Sequence, residues 1–155
     1  MAKISEIIDT QSRTINKSAT VKDVIRMLAE EQIGGVPIVD DEDHLVGYIR
    51  DIEIMRFIAR NKPRVIDWGG ELMPVVIDEE PLEEKVRHLL STPIMEIANK
   101  KKWHANADDE IEDVAELFKS EKLQKVAVVK DGKVIGSVGR SAIIYYIISN
   151  FPADE

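Results

Sequence analysis

Arg50 and Glu53 close the stretch GGVPIVDDEDHLVGYIRDIE, residues 34–53, and their types and spacing suit joint chemistry. A guanidinium presents parallel donors that can grip phosphate oxygens. A carboxylate can accept from two neighbouring hydroxyls. Residues three apart on a helix share a face, so both side chains can point into one cleft, and a helix start there also favours an anion. The same spacing lets the two pair with each other on a solvated helix end, a contact worth about 0.2–0.5 kcal/mol. Both readings are open at this level.

Other chemistry is harder to build. His44, His88 and His104 have no His, Asp or Glu partner at a metal-ligand spacing, so no metal site is expected. The acidic turn Asp40-Asp41-Glu42-Asp43 lacks the calcium-loop pattern and reads as a solvated tip. No phosphate loop of the GxxxxGK type occurs. With no cysteine there is no thiol nucleophile, disulfide or thiolate zinc site. Catalysis is therefore not expected.

A formal net charge of −8 disfavours a phosphate backbone as partner; Lys100, Lys101 and Lys102 before Trp103 are the one basic run. No apolar run approaches the ~20 residues of a membrane span, and MAKISEIIDTQS makes a poor signal peptide. A cytoplasmic protein without nucleic-acid or membrane contact is expected.

The elements that must position Arg50 and Glu53 occur twice. ATVKDVIRMLAEEQIGGVPIV (19–39) matches DEIEDVAELFKSEKLQKVAVV (109–129) at an offset of 90 residues, and ISEII (4–8) matches IMEIA (94–98) at the same offset. After the hairpin tip the offset is 89, as HLVG ends at Gly47 and KVIG at Gly136. Each copy predicts a short extended piece (near 14–16 and 104–106), an amphipathic helix, a β-hairpin and a second helix, DIEIMRFIARN or RSAIIYYIISN. Thr20 with Asp23 opens the first helix like a capping box; Asp131-Gly132 is a strong hairpin turn; Asn61 and Asn150 are candidate C-caps. One such unit is too small to bury both faces of its sheet, so the copies are expected to pack about a pseudo-twofold axis that leaves paired clefts. Between them, Pro81, Leu82, Val86, Leu89 and Leu90 predict an inserted amphipathic helix ending before Pro93, with Trp68-Gly69-Gly70 a loop and 73–77 extended.

The repeated helix–hairpin–helix, with GGVPIVDDEDHLVGYIRDIE in one copy and KVAVVKDGKVIGSVGRSA in the other, resembles the cystathionine-β-synthase (CBS) domain. The resemblance implies an α/β (α+β) fold of two CBS units, 1–62 and 93–152, each a small sheet with two packed helices, joined by the segment 63–92. A tandem pair is similar to a Bateman module: a regulatory sensor of adenosine-containing ligands, often a homodimer, acting on a regulated protein. No cofactor is required; AMP, ADP, ATP or another adenosyl compound is the implied ligand. In the family a threonine or serine at the end of the last strand helps hold phosphate, and an aspartate three residues on takes the ribose hydroxyls. Arg50 and Glu53 occupy those places here. The second copy has Gly139 and Ala142 there, with Arg140 and Ser141 beside them, so its site is expected to be the weaker. By the same resemblance the adenine would meet the backbone of Gly35, Val36 and Pro37, or of Lys125, Val126 and Ala127. The rival reading is a module that binds no nucleotide and serves dimerisation or docking, through the middle helix and the aromatics Tyr145, Tyr146 and Phe151.

Overall fold

A computed structural model of the chain describes residues 2–60, 64–75 and 80–151. After a 3-10 turn, Ile4–Glu6, the elements are β1 Ile15–Asn16, α1 Val21–Glu31, β2 Gly35–Val39, β3 Leu45–Arg50 and α2 Asp51–Ile58. Then come β4 Arg64–Trp68, β5 Glu71–Val75, α3 Leu82–Ser91, α4 Ile94–Ile97, β6 His104–Asn106, α5 Ile111–Glu121, β7 Lys125–Lys130, β8 Lys133–Gly139 and α6 Arg140–Asn150. The fold is mixed α/β, with strand, helix, hairpin and helix recurring in the same order.

Among the described residues the strands form three sheets, ordered β1-β2-β3, β4-β5 and β6-β7-β8. β1 is parallel to β2 with Ile15 opposite Ile38, and β6 is parallel to β7 with Ala105 opposite Val128. The two pairings differ by the repeat offset, so the copies share one register. Turn chemistry closes each hairpin. Asp131 and Gly132 both adopt positive φ, as a tight hairpin turn needs. At the other tip Asp40 accepts from the amides of Glu42 and His44, each at 2.9 Å.

Thr20 caps α1: its amide donates to Asp23 at 3.1 Å, and its hydroxyl oxygen accepts from the Asp23 amide. Helices α1 and α5 end on left-handed residues, Gln32 and Lys122, at equivalent places. Neither is glycine, which hid these ends in the sequence. Asn150 is the last residue of α6 rather than its cap, which is Phe151; its amide donates to the Tyr146 carbonyl. Asn61 lies outside the described residues.

The chain divides into two compact units. One comprises Met1–Lys17, Val36–Ile49 and Asn99–Glu155. Its core joins Ile4 to Ile111, Val114 and Phe118 of α5, Val126 and Val128 of β7, Val138 of β8 and Ile143 of α6. The other comprises Ser18–Gly35 and Arg50–Ala98, in which α1 and α2 pack against α3 and Val21, Val24, Leu89 and Ile94 are buried.

The segments that lead into each copy are exchanged. Ile4 donates its amide to the Asp109 carbonyl at 2.9 Å, and Asp9 exchanges amide–carbonyl bonds with Ser137 at 2.9 and 3.0 Å. Reciprocally, Ile94 donates to Ala19 at 3.1 Å, and Asn99 exchanges bonds with Tyr48 at 2.8 and 2.9 Å. Residues 4–9 thus complete the second copy's elements, and 94–99 the first copy's.

The middle segment departs from expectation in two ways. Trp68 ends a strand, and Gly69-Gly70 turns a β4–β5 hairpin with Trp68 opposite Glu71; residues 76 and 77 lie outside the described residues. On α3, Leu82 is 59% exposed, whereas Lys85 is buried with its ammonium near the Ala59 carbonyl. Leu82 is the first residue of α3, while the Lys85 stem covers apolar surface as its head finds an acceptor.

Candidate functional site

Three features of the first copy converge on Arg50. It ends β3 in an extended conformation and serves as the N-cap of α2, so the chain turns from strand to helix at this residue. Glu53 is the third residue of the helix and folds back, accepting the Arg50 amide at 3.0 Å through Oε2. That bond satisfies one of the orphan donors at a helix start. The guanidinium then closes on the same carboxylate: Nη2 lies 2.6 Å from Oε1, and Nε lies 3.2 Å from both oxygens. Arg56, one turn on, brings Nη1 to 4.0 Å from Oε1. The Glu53 side chain is only 4% exposed and that of Arg50 29%. The pair is therefore far from the solvated surface contact that the spacing alone allows.

Gly35, at the start of β2, faces the Arg50 stem. A Cβ there would stand 2.8 Å from Arg50 Cγ and 3.1 Å from Arg50 Cα. Glycine there lets the backbone of β2 approach the arginine stem. Val36 and Pro37 follow in β2 and are buried, so their side chains belong to packing and only main-chain atoms remain for recognition. Pro37 supplies a carbonyl but no amide.

The second copy is arranged differently. Lys125, Val126 and Ala127 pair with Gly139, Val138 and Ser137 across the β7–β8 ladder. Ala127 is fully buried, and its amide donates to the Tyr48 hydroxyl at 2.9 Å. Arg140 gives its amide to the Gln124 carbonyl at 2.9 Å and its Nε to the Leu123 carbonyl. Ser141 is exposed in the first turn of α6, and Ala142, in the place of Glu53, packs on the core. Arg140 and Ser141 are thus near one another, but no carboxylate stands beside them at the Glu53 position.

Tyr48 is the residue that sequence reasoning passed over. Its hydroxyl accepts from Ala127 and donates to the Trp103 carbonyl, and its ring lies 5.9 Å from that of Trp103. Burial pushes the phenol up to about 12, against the opposing effect of the Ala127 amide. At the matching place in the second copy stands Ser137, buried, with its Oγ unpartnered among the described residues. The position matching Ala127 is Pro37, which has no amide to satisfy. A long hydroxyl side chain thus occurs in the copy whose counterpart strand offers a donor, and a short one where none exists. That correlation between aligned repeats was the signal available.

The remaining candidates are peripheral. His44 lies 3.3 Å from Asp40, His88 lies 3.0 Å from Glu80, and His104 contacts the Lys102 carbonyl. Lys101 sits 5.5 Å over the Trp103 ring. Among the described residues no group of three or more His, Cys, Asp or Glu is placed to hold a metal ion, and no helix is long and apolar enough to cross a membrane.

The family model described as "CBS domain" matches residues 4–60 and 86–149. Protein MJ1404 of Methanocaldococcus jannaschii is 24% identical over 147 residues, 94% of this chain; the chain spans 32% of that relative's length. The crystal structure of CBSX2 in complex with AMP superposes with a TM-score of 0.70 at 18% identity, covering 95% of this chain and 96% of that one. The CBS domain pair of protein MJ0100 in complex with 5′-methylthioadenosine and S-adenosyl-L-methionine gives a TM-score of 0.66 at 19% identity, covering 96% and 97%. At these identities the likeness to solved structures shows the fold.

Proposed function

The chain belongs to the CBS domain family as a tandem pair, and on that premise we propose that it is a regulatory module that senses an adenosine-containing ligand. The ligand is held at the first copy, with Arg50 toward its anionic end, Glu53 toward its ribose hydroxyls and the main chain of Gly35 to Pro37 toward the base. The observation that carries this reading is the buried Glu53 carboxylate, gripped by Arg50 beside a glycine that admits backbone contact. CBSX2 with AMP and the MJ0100 pair with two adenosyl compounds support the ligand class. The second copy has alanine in place of Glu53 and its Arg140 turned to main-chain carbonyls, which supports one occupied site per chain.

The module is proposed to do no catalysis of its own and to act on a protein partner. Such coupling requires that the ligand favour one arrangement of the module over another. Along α6, Ile144, Tyr145, Ile147 and Ile148 are exposed on a helix that carries no formal charge after Arg140. A neutral apolar strip on a chain of charge −8 supports pairing with a second copy there, where two acidic chains repel least.

Calorimetric titration with AMP, ADP, ATP and S-adenosylmethionine tests the reading, with thermal unfolding in parallel. A sensor binds one equivalent and gains about 2.7 kcal/mol at a hundredfold excess over the dissociation constant. No heat and no thermal shift with any of them would favour a docking module instead.

A further inference from the structure

We propose that β4 is an open pairing edge that takes β4 of a second molecule of this chain, antiparallel and centred on Ile66. The inference is independent of the ligand reading and of pairing along α6. It starts from the β4–β5 hairpin, where Val65, Ile66, Trp68, Leu72 and Met73 are all exposed, Trp68 and Leu72 by 74% each. The register sets Ile66, Trp68 and Met73 on one face and Val65 and Leu72 on the other, so both faces present apolar side chains to solvent. A lone two-stranded ribbon is marginal in water and is stabilised by further strands or a packed helix.

The two edges of the ribbon are not alike. Gly69 and Gly70 both adopt positive φ in a two-residue turn, so Trp68 and Glu71 on either side of it exchange main-chain bonds. Alternation then turns the main-chain groups of Val65 and Asp67 outward from β4, and those of Leu72 and Pro74 outward from β5. Pro74 has no N–H to offer, which blunts the β5 edge. The β4 edge has no such guard, and among the described residues no other strand pairs with it. An unguarded edge is a template for one more strand.

The order of residues in β4 fits a second β4. Centred on Ile66, antiparallel pairing puts Val65 of each molecule opposite Asp67 of the other, outward group against outward group, and each such pair exchanges bonds in both directions. Ile66 then meets its own counterpart at the twofold axis, in a close pair that makes no main-chain bonds. A slip of one residue would set outward groups against inward ones. Centring on Asp67 would oppose two carboxylates, and centring on Val65 would carry Asp67 past the first residue of the other β4. Asp67 is already turned to its own hairpin, where its Oδ1 accepts the Gly70 amide at 3.0 Å. On a chain of charge −8, the axis therefore carries apolar side chains and no facing carboxylates. The product is one sheet ordered β5-β4-β4-β5, with Pro74 near both outer edges and the Ile66 and Met73 side chains of both molecules in a row on one face.

The chain has no cysteine, so single cysteines report this contact without background. Ile66→Cys and Leu72→Cys both alter exposed side chains, but only position 66 meets itself across the axis. In a glutathione redox buffer Ile66→Cys should form the cross-linked dimer at least tenfold faster than Leu72→Cys. Equal rates would reflect random encounters and overturn the proposal. Hydrogen exchange on the unmodified chain, in dilute and concentrated solution, keeps the test valid if a cysteine variant misfolds. The Val65 and Asp67 amides should exchange at least tenfold more slowly when concentrated. Protection that rises only along α6 would confine self-association to that helix and overturn pairing through β4. Neither cross-link nor protection would leave the edge to a strand of another protein, and the proposal would fall.

Discussion

The hydroxyl of Tyr48 takes a hydrogen bond from the buried amide of Ala127, 79 residues away in sequence, and passes one on to the Trp103 carbonyl. One side chain from β3 thereby satisfies two main-chain groups, one in β7 and one just before β6. Tyr48→Phe keeps the ring and its packing but strands a buried N–H, which costs about 1–3 kcal/mol. Urea unfolding of Tyr48→Phe should show a lower midpoint at an unchanged slope. An equal midpoint would mean that water replaces the hydroxyl.

The same phenol makes stability depend on alkaline pH. Its value in the fold is about 12, above the ordinary 10, because burial disfavours the phenolate. A group raised in this way contributes fully below the unfolded value, and the contribution is lost as pH rises through the folded one. The window is thus pH 10 to 12, and the loss is on the order of 2 kcal/mol across it. Unfolding at pH 9 and pH 11.5 should show a larger fall for the unmodified chain than for Tyr48→Phe. Parallel falls would assign the pH dependence to other groups.

Gly47 and Gly136 mark the same point in the two copies, and both are required by contact. A Cβ on Gly47 would lie 2.5 Å from the Asn99 carbonyl oxygen; one on Gly136 would lie 2.5 Å from that of Asp9. The obstacle is main chain in each case, so it cannot rotate aside as a side chain would. Gly136→Ala should lower unfolding free energy by about 1–3 kcal/mol through forced backbone displacement. Hydrogen exchange offers the sharper measurement: the Asp9 and Ser137 amides should lose protection first.

These glycines show where the sequence was legible and where it was not. Repeat offset, helical periodicity and the Asp131-Gly132 turn are local signals, and they located both hairpins and their flanking helices. The exchange of the lead-in segments is non-local: ISEII and IMEIA match as repeats, but nothing in either says which copy it completes. The β4–β5 hairpin was missed because RVIDW and ELMPV alternate weakly and Gly69-Gly70 reads equally well as a loop. At the site, the spacing of Arg50 and Glu53 predicted a shared face. It could not tell pairing from ligand binding, because burial is what separates a weak surface contact from a nearly enclosed one.

Glu53→Ala tests the site without touching the sheets. It removes the acceptor for the Arg50 amide at the start of α2 and the partner of the guanidinium together. Loss of a helix-start acceptor costs about 1 kcal/mol. The fold should survive, with a modest drop in melting temperature and AMP affinity lowered at least tenfold. Unchanged affinity in a folded variant would remove Glu53 from the site.

Ile4 and Ile94 head the two exchanged segments, and both are fully buried. Truncating a buried isoleucine to alanine removes its contacts and leaves a cavity, a loss of about 2–5 kcal/mol. The exchange makes the location of the damage diagnostic. Ile4 packs with α5 of the second copy, and its amide holds the Asp109 carbonyl just before that helix. Ile94 is tied by its amide to Ala19, just before α1 of the first copy. Ile4→Ala should therefore loosen α5 while α1 keeps its protection, and Ile94→Ala should do the reverse, as read by residue-resolved hydrogen exchange. Were Ile4→Ala to expose α1 instead, each lead-in would serve its own copy and the exchange would be wrong.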